Sequence, residues 1–257
     1  MEHDFLDKIQ ALIGSGREEN IQLALELAKG QGFSEFEVLK EWNHLVDFVQ
    51  QVTQLPYQLK HVFNLKKIDA YNQSIYVLPE HIGWLVDLER LQLSSCLLSK
   101  LPESLSKLIR LKHLNFAGNR IADLPKNIGA LKELEYVNLT NNELSDLPDS
   151  LVNLEKLHTL SLYFNPISTL PKGMKQLTNL KKLDLSKTTL WSMEETIAEL
   201  VETSLEELSL GHNYLSKLPS SIKGMQQLEY LDLSGNAFPH EEQTRLRAWL
   251  PDCTIFF

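Results

Sequence analysis

The sequence predicts an α/β solenoid: a curved parallel β-sheet on a concave face, turns, 3₁₀ pieces and a short helix on the convex face, and an α-helical cap at the N-terminus. Three observations predict it. Leu-Pro recurs at 55–56, 78–79, 101–102, 124–125, 147–148 and 170–171, each 23 residues after the last, and again at 218–219. The interval of 48 before that last copy is one unit of 23 and one of 25, the longer opening at Met193-Glu194 in place of Leu-Pro. Every unit also carries leucine-like residues at positions 1, 4 and 6 and usually Asn at 9, in fixed phase with the Leu-Pro. A fixed period of this length marks a repeat architecture before any other reading is attempted.

The third unit shows the pattern as Leu111, Leu114, Phe116 and Asn119, the fourth as Leu134, Val137, Leu139 and Asn142, the fifth as Leu157, Leu160, Leu162 and Asn165. The seventh has Leu205, Leu208, Leu210 and Asn213, and the eighth Leu228, Leu231, Leu233 and Asn236. On these residues the chain resembles the leucine-rich-repeat family in its 23-residue form with an LPxxΦxxL segment. The resemblance covers eight units over 55–240, and the family tolerates Cys at position 9, where Cys96 stands in the second unit. It implies that positions 3, 5, 7 and 8 face the concave side.

The physics is simple. Positions 4 and 6 lie on one face of a short strand because strand side chains alternate. Successive strands stack about 4.8 Å apart into one sheet, and each coil buries its apolar edge only against its neighbours. The position-9 Asn can hydrogen-bond backbone groups that turn away from the sheet and would otherwise be buried unpaired. Gln73 and Thr188 fill that slot in the first and sixth units, so the ladder is expected to be weaker there. Cys96 reads as a structural core thiol. The segments LPESLSKL, LPKNIGAL and LPDSLVNL, with a Pro and apolar spacing of three, predict turns or 3₁₀ pieces. In the longer unit, Ser192-Met193-Glu194-Glu195 is a capping box opening one or two true helical turns.

Both ends need caps. Residues 4–13 and 17–29 predict two helices, the second with Ile21, Leu25 and Ala28 on one stripe and Gly30 and Gly32 as stop signals. Ser34-Glu35-Phe36-Glu37 opens a third helix to about Gln51, with Phe36, Leu39, Leu45, Phe48 and Val52 available to the core. Residues 1–54 thus form the helical N-terminal cap or, alternatively, a partner-binding module in their own right. At the other end, Pro239 opens a charged helix to about Trp249, and Leu250 to Phe256 reads as a last edge strand. Residues 241–257 are the expected C-terminal cap. This ending resembles the closing segment of stand-alone bacterial leucine-rich-repeat proteins, which implies that no catalytic domain follows.

Composition narrows the function. A net charge of −9, six of those charges carried by residues 1–54, argues against nucleic acid. Two distant cysteines, Cys96 and Cys253, argue against a disulfide scaffold or a thiolate zinc site. The first residues lack a basic segment leading into an apolar run, and no stretch is apolar enough to span a membrane, so a cytoplasmic monomer that binds neither nucleic acid nor membrane is expected. The sequons at Asn72 and Asn138 are then coincidental.

Catalysis is not expected. His113 and His212, the two concave histidines, are four units or roughly 19 Å apart, too far to share a metal. Asp184 and Asp232 are roughly 10 Å apart, at the edge of inverting-glycosidase spacing, on an open sheet with nothing to desolvate them. Gly14-Ser15-Gly16 is a helix-joining turn and no phosphate-cradling loop is present. Lys182 and Glu207 should form a cross-strand ion pair. No cofactor and no metal are predicted. What stands out is the uncharged concave surface of units three to five, between Lys67 and Arg90 on one side and Lys182, Lys187 and Glu207 on the other. Aromatic residues among small polar ones have the composition of interface anchors. The candidate partner-binding residues are His113, Asn115, Tyr136, Asn138, Thr140, Tyr163 and Phe164. Phe164 either presents this surface to a protein partner or folds over Tyr136 or a neighbouring strand. The expected function is a non-enzymatic protein-binding module. The alternatives are a regulatory subunit of an enzyme and an effector acting on a host protein.

Overall fold

A computed structural model describes residues 8–9, 11–12, 18–31, 43–53, 65–190 and 192–257. Among the described residues nine strands form one parallel sheet in chain order: β1 (Lys67–Tyr71), β2 (Arg90–Ser94), β3 (His113–Asn115), β4 (Tyr136–Asn138), β5 (Thr159–Ser161), β6 (Lys182–Asp184), β7 (Glu207–Ser209), β8 (Tyr230–Asp232) and β9 (Thr254–Phe256). The pairing has no stagger: Lys67 faces Arg90, Arg90 faces His113, His113 faces Tyr136, and so on to Tyr230 facing Thr254. Each repeat position therefore becomes a straight column across the sheet. Positions 4 and 6 point inward, as the alternation requires: Leu114, Phe116, Leu139, Leu160 and Leu162 are all buried.

The convex side carries 3₁₀ segments at Glu80–Trp84, Glu103–Lys107, Ile128–Ala130, Asp149–Asn153, Met174–Gln176 and Ser220–Gly224. In four of these Pro supplies the extended residue before the first turn, a place where its missing N–H leaves no bond unmade. Neighbouring segments approach so closely that a Cβ on Gly129 would collide with the Ser150 carbonyl oxygen. The longer unit forms the expected true helix, Met193–Leu200, with the Ser192 hydroxyl accepting the Glu195 N–H at 3.3 Å.

Inside the coil the asparagines form a ladder, interrupted at Thr188. Asn119 donates to the Phe116 and Leu93 carbonyls and accepts the Cys96 and Leu98 N–H groups. Asn142 donates to Phe116 and Leu139 and accepts from Ile121. Asn165, Asn213 and Asn236 repeat the arrangement. The substitutes do less. The Cys96 thiol reaches the Ser94 carbonyl at 3.3 Å, and the Thr188 hydroxyl donates to Leu185 at 2.9 Å.

Of the cap helices, Lys8, Ile9, Ala11 and Leu12 are helical, and the rest of the first lies outside the described residues. The second spans Glu18–Gly30. Of the expected stripe, Ala28 is buried and Leu25 packs partly buried against the core; Ala24 is buried beside them, while Leu23 and Leu27 are exposed. The side chain of Ile21 is outside the described set, as are Gly32, the Ser34 capping box, Phe36 and Leu39. The third helix is described over Asn43–Thr53, two residues beyond the expected end. Leu45, Val46, Phe48, Val49 and Val52 are buried, and the helix packs on β1 and on Glu80–Trp84. Residues 54–64, with the first Leu-Pro, are also outside the described set. At the C-terminus His240–Trp249 is helical and β9 pairs with β8, as expected.

Candidate functional site

The zero-stagger register places all seven candidate residues on the concave face, but not in one continuous cluster. They fall into two groups. On β3 and β4 the His113 and Tyr136 rings lie 6.0 Å apart. They share a concave pocket of about 290 Å³ with Arg90, Leu91, Gln92 and Asn115. After β5, the rings of Tyr163 and Phe164 lie 6.2 Å apart and tilted by 48°. Phe164 does not fold away; it is 54% exposed, while Tyr136 pairs with His113. Between the groups, the Thr140 and Ser161 hydroxyls meet at 2.8 Å.

Three features of the face depart from the sequence expectation. First, the Asn side chains at position 5 are not wholly free. Asn115 Oδ1 accepts the Ala117 N–H at 3.1 Å and Asn138 Oδ1 the Thr140 N–H at 3.0 Å. Asp184 and Asp232 do the same for Ser186 and Ser234. At these four positions the column closes the turn at the end of the strand, a habit of Asn and Asp. It leaves the Nδ2 groups of Asn115 and Asn138 as their outward function.

Second, position 8 is a backbone position as much as a surface one. Asn72, Ser95, Gly118, Asn141, Phe164, Lys187, His212 and Gly235 all have φ between 52° and 70°. Gly and Asn suit this left-handed conformation, whereas a Phe there is strained. The signal was present in the sequence, since four of the eight residues are Gly or Asn. Third, the neutral zone does not end where the charges begin in sequence. Lys187 leans back over β5, its Nζ 5.4 Å from the Tyr163 centroid and 5.6 Å from that of Phe164.

The charged surroundings are ordinary. Lys182 and Glu207 form the expected cross-strand pair at 2.6 Å, half exposed, and that bond holds the Lys182 ammonium above its usual range. Asp184 corrects the expectation that nothing desolvates it. Burial pushes its carboxyl above the usual carboxylate range, and the charge of Asp232 adds to the shift. Among the described residues no three His, Cys, Asp or Glu side chains come together as a metal site requires, and no helix is long and apolar enough to cross a membrane.

Comparison with known proteins follows the repeat. A leucine-rich-repeat region model matches residues 103–208, a two-copy leucine-rich-repeat model residues 203–240, and a single-repeat model residues 87–108. A comparison with curated proteins gave no match. Among solved structures, a leucine-rich-repeat protein of Leptospira interrogans is 31% identical with a TM-score of 0.60, over 76% of this chain and 56% of that one. The chain thus spans just over half the length of that relative. The leucine-rich-repeat domain of the type III effector XopL superposes over 100% of this chain and 95% of its own, at 24% identity and a TM-score of 0.65. The leucine-rich-repeat ectodomain of an Arabidopsis thaliana membrane receptor kinase, in complex with CASPARIAN STRIP INTEGRITY FACTOR 2, is 25% identical over 79% of this chain and 31% of its own, at a TM-score of 0.50.

Proposed function

The chain belongs to the leucine-rich-repeat family, and from that premise we propose that it is a non-enzymatic module whose concave face, over β3 to β5, binds a protein partner. The observation that carries the reading is Phe164. A large apolar side chain sits more than half exposed, in a backbone conformation that disfavours it, beside Tyr163 and under the Lys187 ammonium. Exposed aromatics of this kind, ringed by residues of little energetic weight, are the usual anchors of protein interfaces. Repeat solenoids offer such extended concave surfaces, though the fold alone does not name the ligand.

Tyr136, Tyr163 and Phe164 are the anchors, and His113, Asn115, Asn138 and Thr140 the polar surround. The complex of the Arabidopsis ectodomain supports the general mode. In this reading residues 1–54 cap the solenoid, 55–240 form its eight repeats and 241–257 close it, in a cytoplasmic monomer. The test is titration calorimetry with a partner isolated from the native cell. Tyr163→Ala with Phe164→Ala weakens binding at least tenfold, while the convex pair Lys126→Ala with Asn127→Ala is silent. The opposite outcome moves the interface to the convex face.

A further inference from the structure

Beside the aromatic patch, the pocket on β2 to β4 is lined by Arg90, Leu91, Gln92, His113, Asn115 and Tyr136. Each of its polar side chains carries a hydrogen-bond donor. Arg90 offers a fork of N–H donors, Gln92 an amide, His113 a ring N–H and Tyr136 a hydroxyl. Asn115 has spent its oxygen on Ala117 and leaves its Nδ2 to face out. No carboxylate lines the cavity.

The Arg90 charge is also unanswered. Arg90 forms no ion pair among the described residues, although Asp69, Glu89 and Asp87 stand on the same strands or beside them. Glu89 is taken by Lys112 at 3.1 Å and Asp87 by Arg110 at 2.7 Å. Asp69 lies one column over, in register with Gln92. The Arg90 Nε is buried and meets no acceptor. A buried N–H of a charged group without an acceptor is costly, so its position calls for an incoming one. Lys67 lies in the same column on the preceding strand but does not line the pocket, so Arg90 is its one formal cation.

We propose that this pocket binds a carboxylate, supplied by a glutamate or aspartate side chain of the protein that docks on the concave face. The planar Arg90 fork meets a carboxylate through paired N–H groups once the guanidinium turns to bring the buried Nε into the pocket. Gln92, His113 and Tyr136 line the same pocket and can donate to the remaining lone pairs of the carboxylate. A cavity of about 290 Å³ lies at the small end of ligand sites and has room for one side chain. One guanidinium with neutral donors matches a single negative charge better than a phosphate, which would draw further cations to the floor. The chemistry of the pocket stands by itself; only the identification of the carboxylate as the partner's rests on the docking reading.

The probe is a capped pentapeptide of glycines with one central glutamate, titrated into the ¹⁵N-labelled full chain at constant ionic strength. Its glutamine counterpart and inorganic phosphate are titrated in parallel. The expected result is a saturable shift of the Arg90 Nε–H resonance and of the His113 ring signals with the glutamate peptide. The glutamine peptide and the Arg90→Gln variant bind at least fivefold more weakly, and Arg90→Lys, which keeps the charge but not the fork, falls between. An unmoved Arg90 signal, equal effects of the two peptides, or phosphate saturating at lower concentration overturns the carboxylate assignment. Such a failure leaves Tyr163 and Phe164 to be judged by their own titration against the partner. Conversely, a silent aromatic pair with a responsive Arg90 separates the pocket from the docking reading.

Discussion

Lys187 carries its ammonium 5.4 Å from the centroid of Tyr163, one strand back across the sheet. The contact joins a residue that reads in sequence as a boundary charge to the aromatic pair it borders. An exposed cation over an aromatic face contributes about 0.5–1 kcal/mol. Lys187→Ala is therefore expected to lower unfolding stability by about 1 kcal/mol or less in chemical denaturation and to shift the Tyr163 ring resonances. Unchanged Tyr163 signals contradict the contact.

The ladder makes a sharper demand. Asn142 serves the Phe116 and Leu139 carbonyls and the Ile121 N–H at once, all away from water. Removing it leaves buried backbone groups unpaired, so Asn142→Ala is expected to cost about 1–3 kcal/mol. The Thr188 hydroxyl donates to Leu185 and, less closely, to Asn213, and has one polar atom to lose. Thr188→Ala should cost less under the same denaturant. Equal losses mean that the asparagine side chains are not what holds the coils together.

The convex side has its own test. Gly129 packs so near the Ser150 carbonyl that no side chain fits. Gly129→Ala must push two rigid 3₁₀ segments apart, an overpacking change expected to cost about 1–3 kcal/mol. Gly30, at the end of the second cap helix, has open space around it, and Gly30→Ala serves as the control. If both variants melt together with the wild type, the convex packing is looser than described.

The columns and faces can be read from the sequence because a period of 23 and an alternation of 2 are both phase-locked to leucine, and a one-residue slip would turn every Leu outward. What the pattern does not carry is the set of roles fixed by the backbone at the strand ends. Asn115 and Asn138 read as surface amides, yet their oxygens close turns. Phe164 reads as a free side chain, yet its φ of 56° makes it a turn residue too. The desolvation of Asp184 escapes the repeat pattern because burial on a sheet surface depends on side chains brought alongside from other strands, not on spacing within one unit. Lys187 reaches across columns because a long side chain is not confined to its register.

Asp184 also gives a pH dependence. Its carboxyl is held above its usual range, chiefly by burial and further by Asp232. A carboxyl whose folded pKa is raised favours the folded state only while protonated. That contribution is full below the ordinary carboxylate range and is lost as pH rises through the raised value. Asp184→Asn keeps the turn-closing oxygen that Asn115 and Asn138 use, without the charge. It is expected to raise the unfolding midpoint at neutral pH, with the gap to wild type closing as pH falls to about 3. A gap that does not change with pH contradicts burial of the charged carboxylate as its cause.

The most direct measurement pairs stability and binding in Phe164→Asn. Asn occupies the same left-handed position at Asn72 and Asn141, with φ of 55° at both. If Phe164 is held there for docking, replacing it removes strain of about 1 kcal/mol and the Tyr163 contact together. The variant should then melt at or above the wild-type temperature while its affinity for the partner, by titration calorimetry, falls at least tenfold. A variant that binds as tightly as wild type contradicts the concave aromatic anchor.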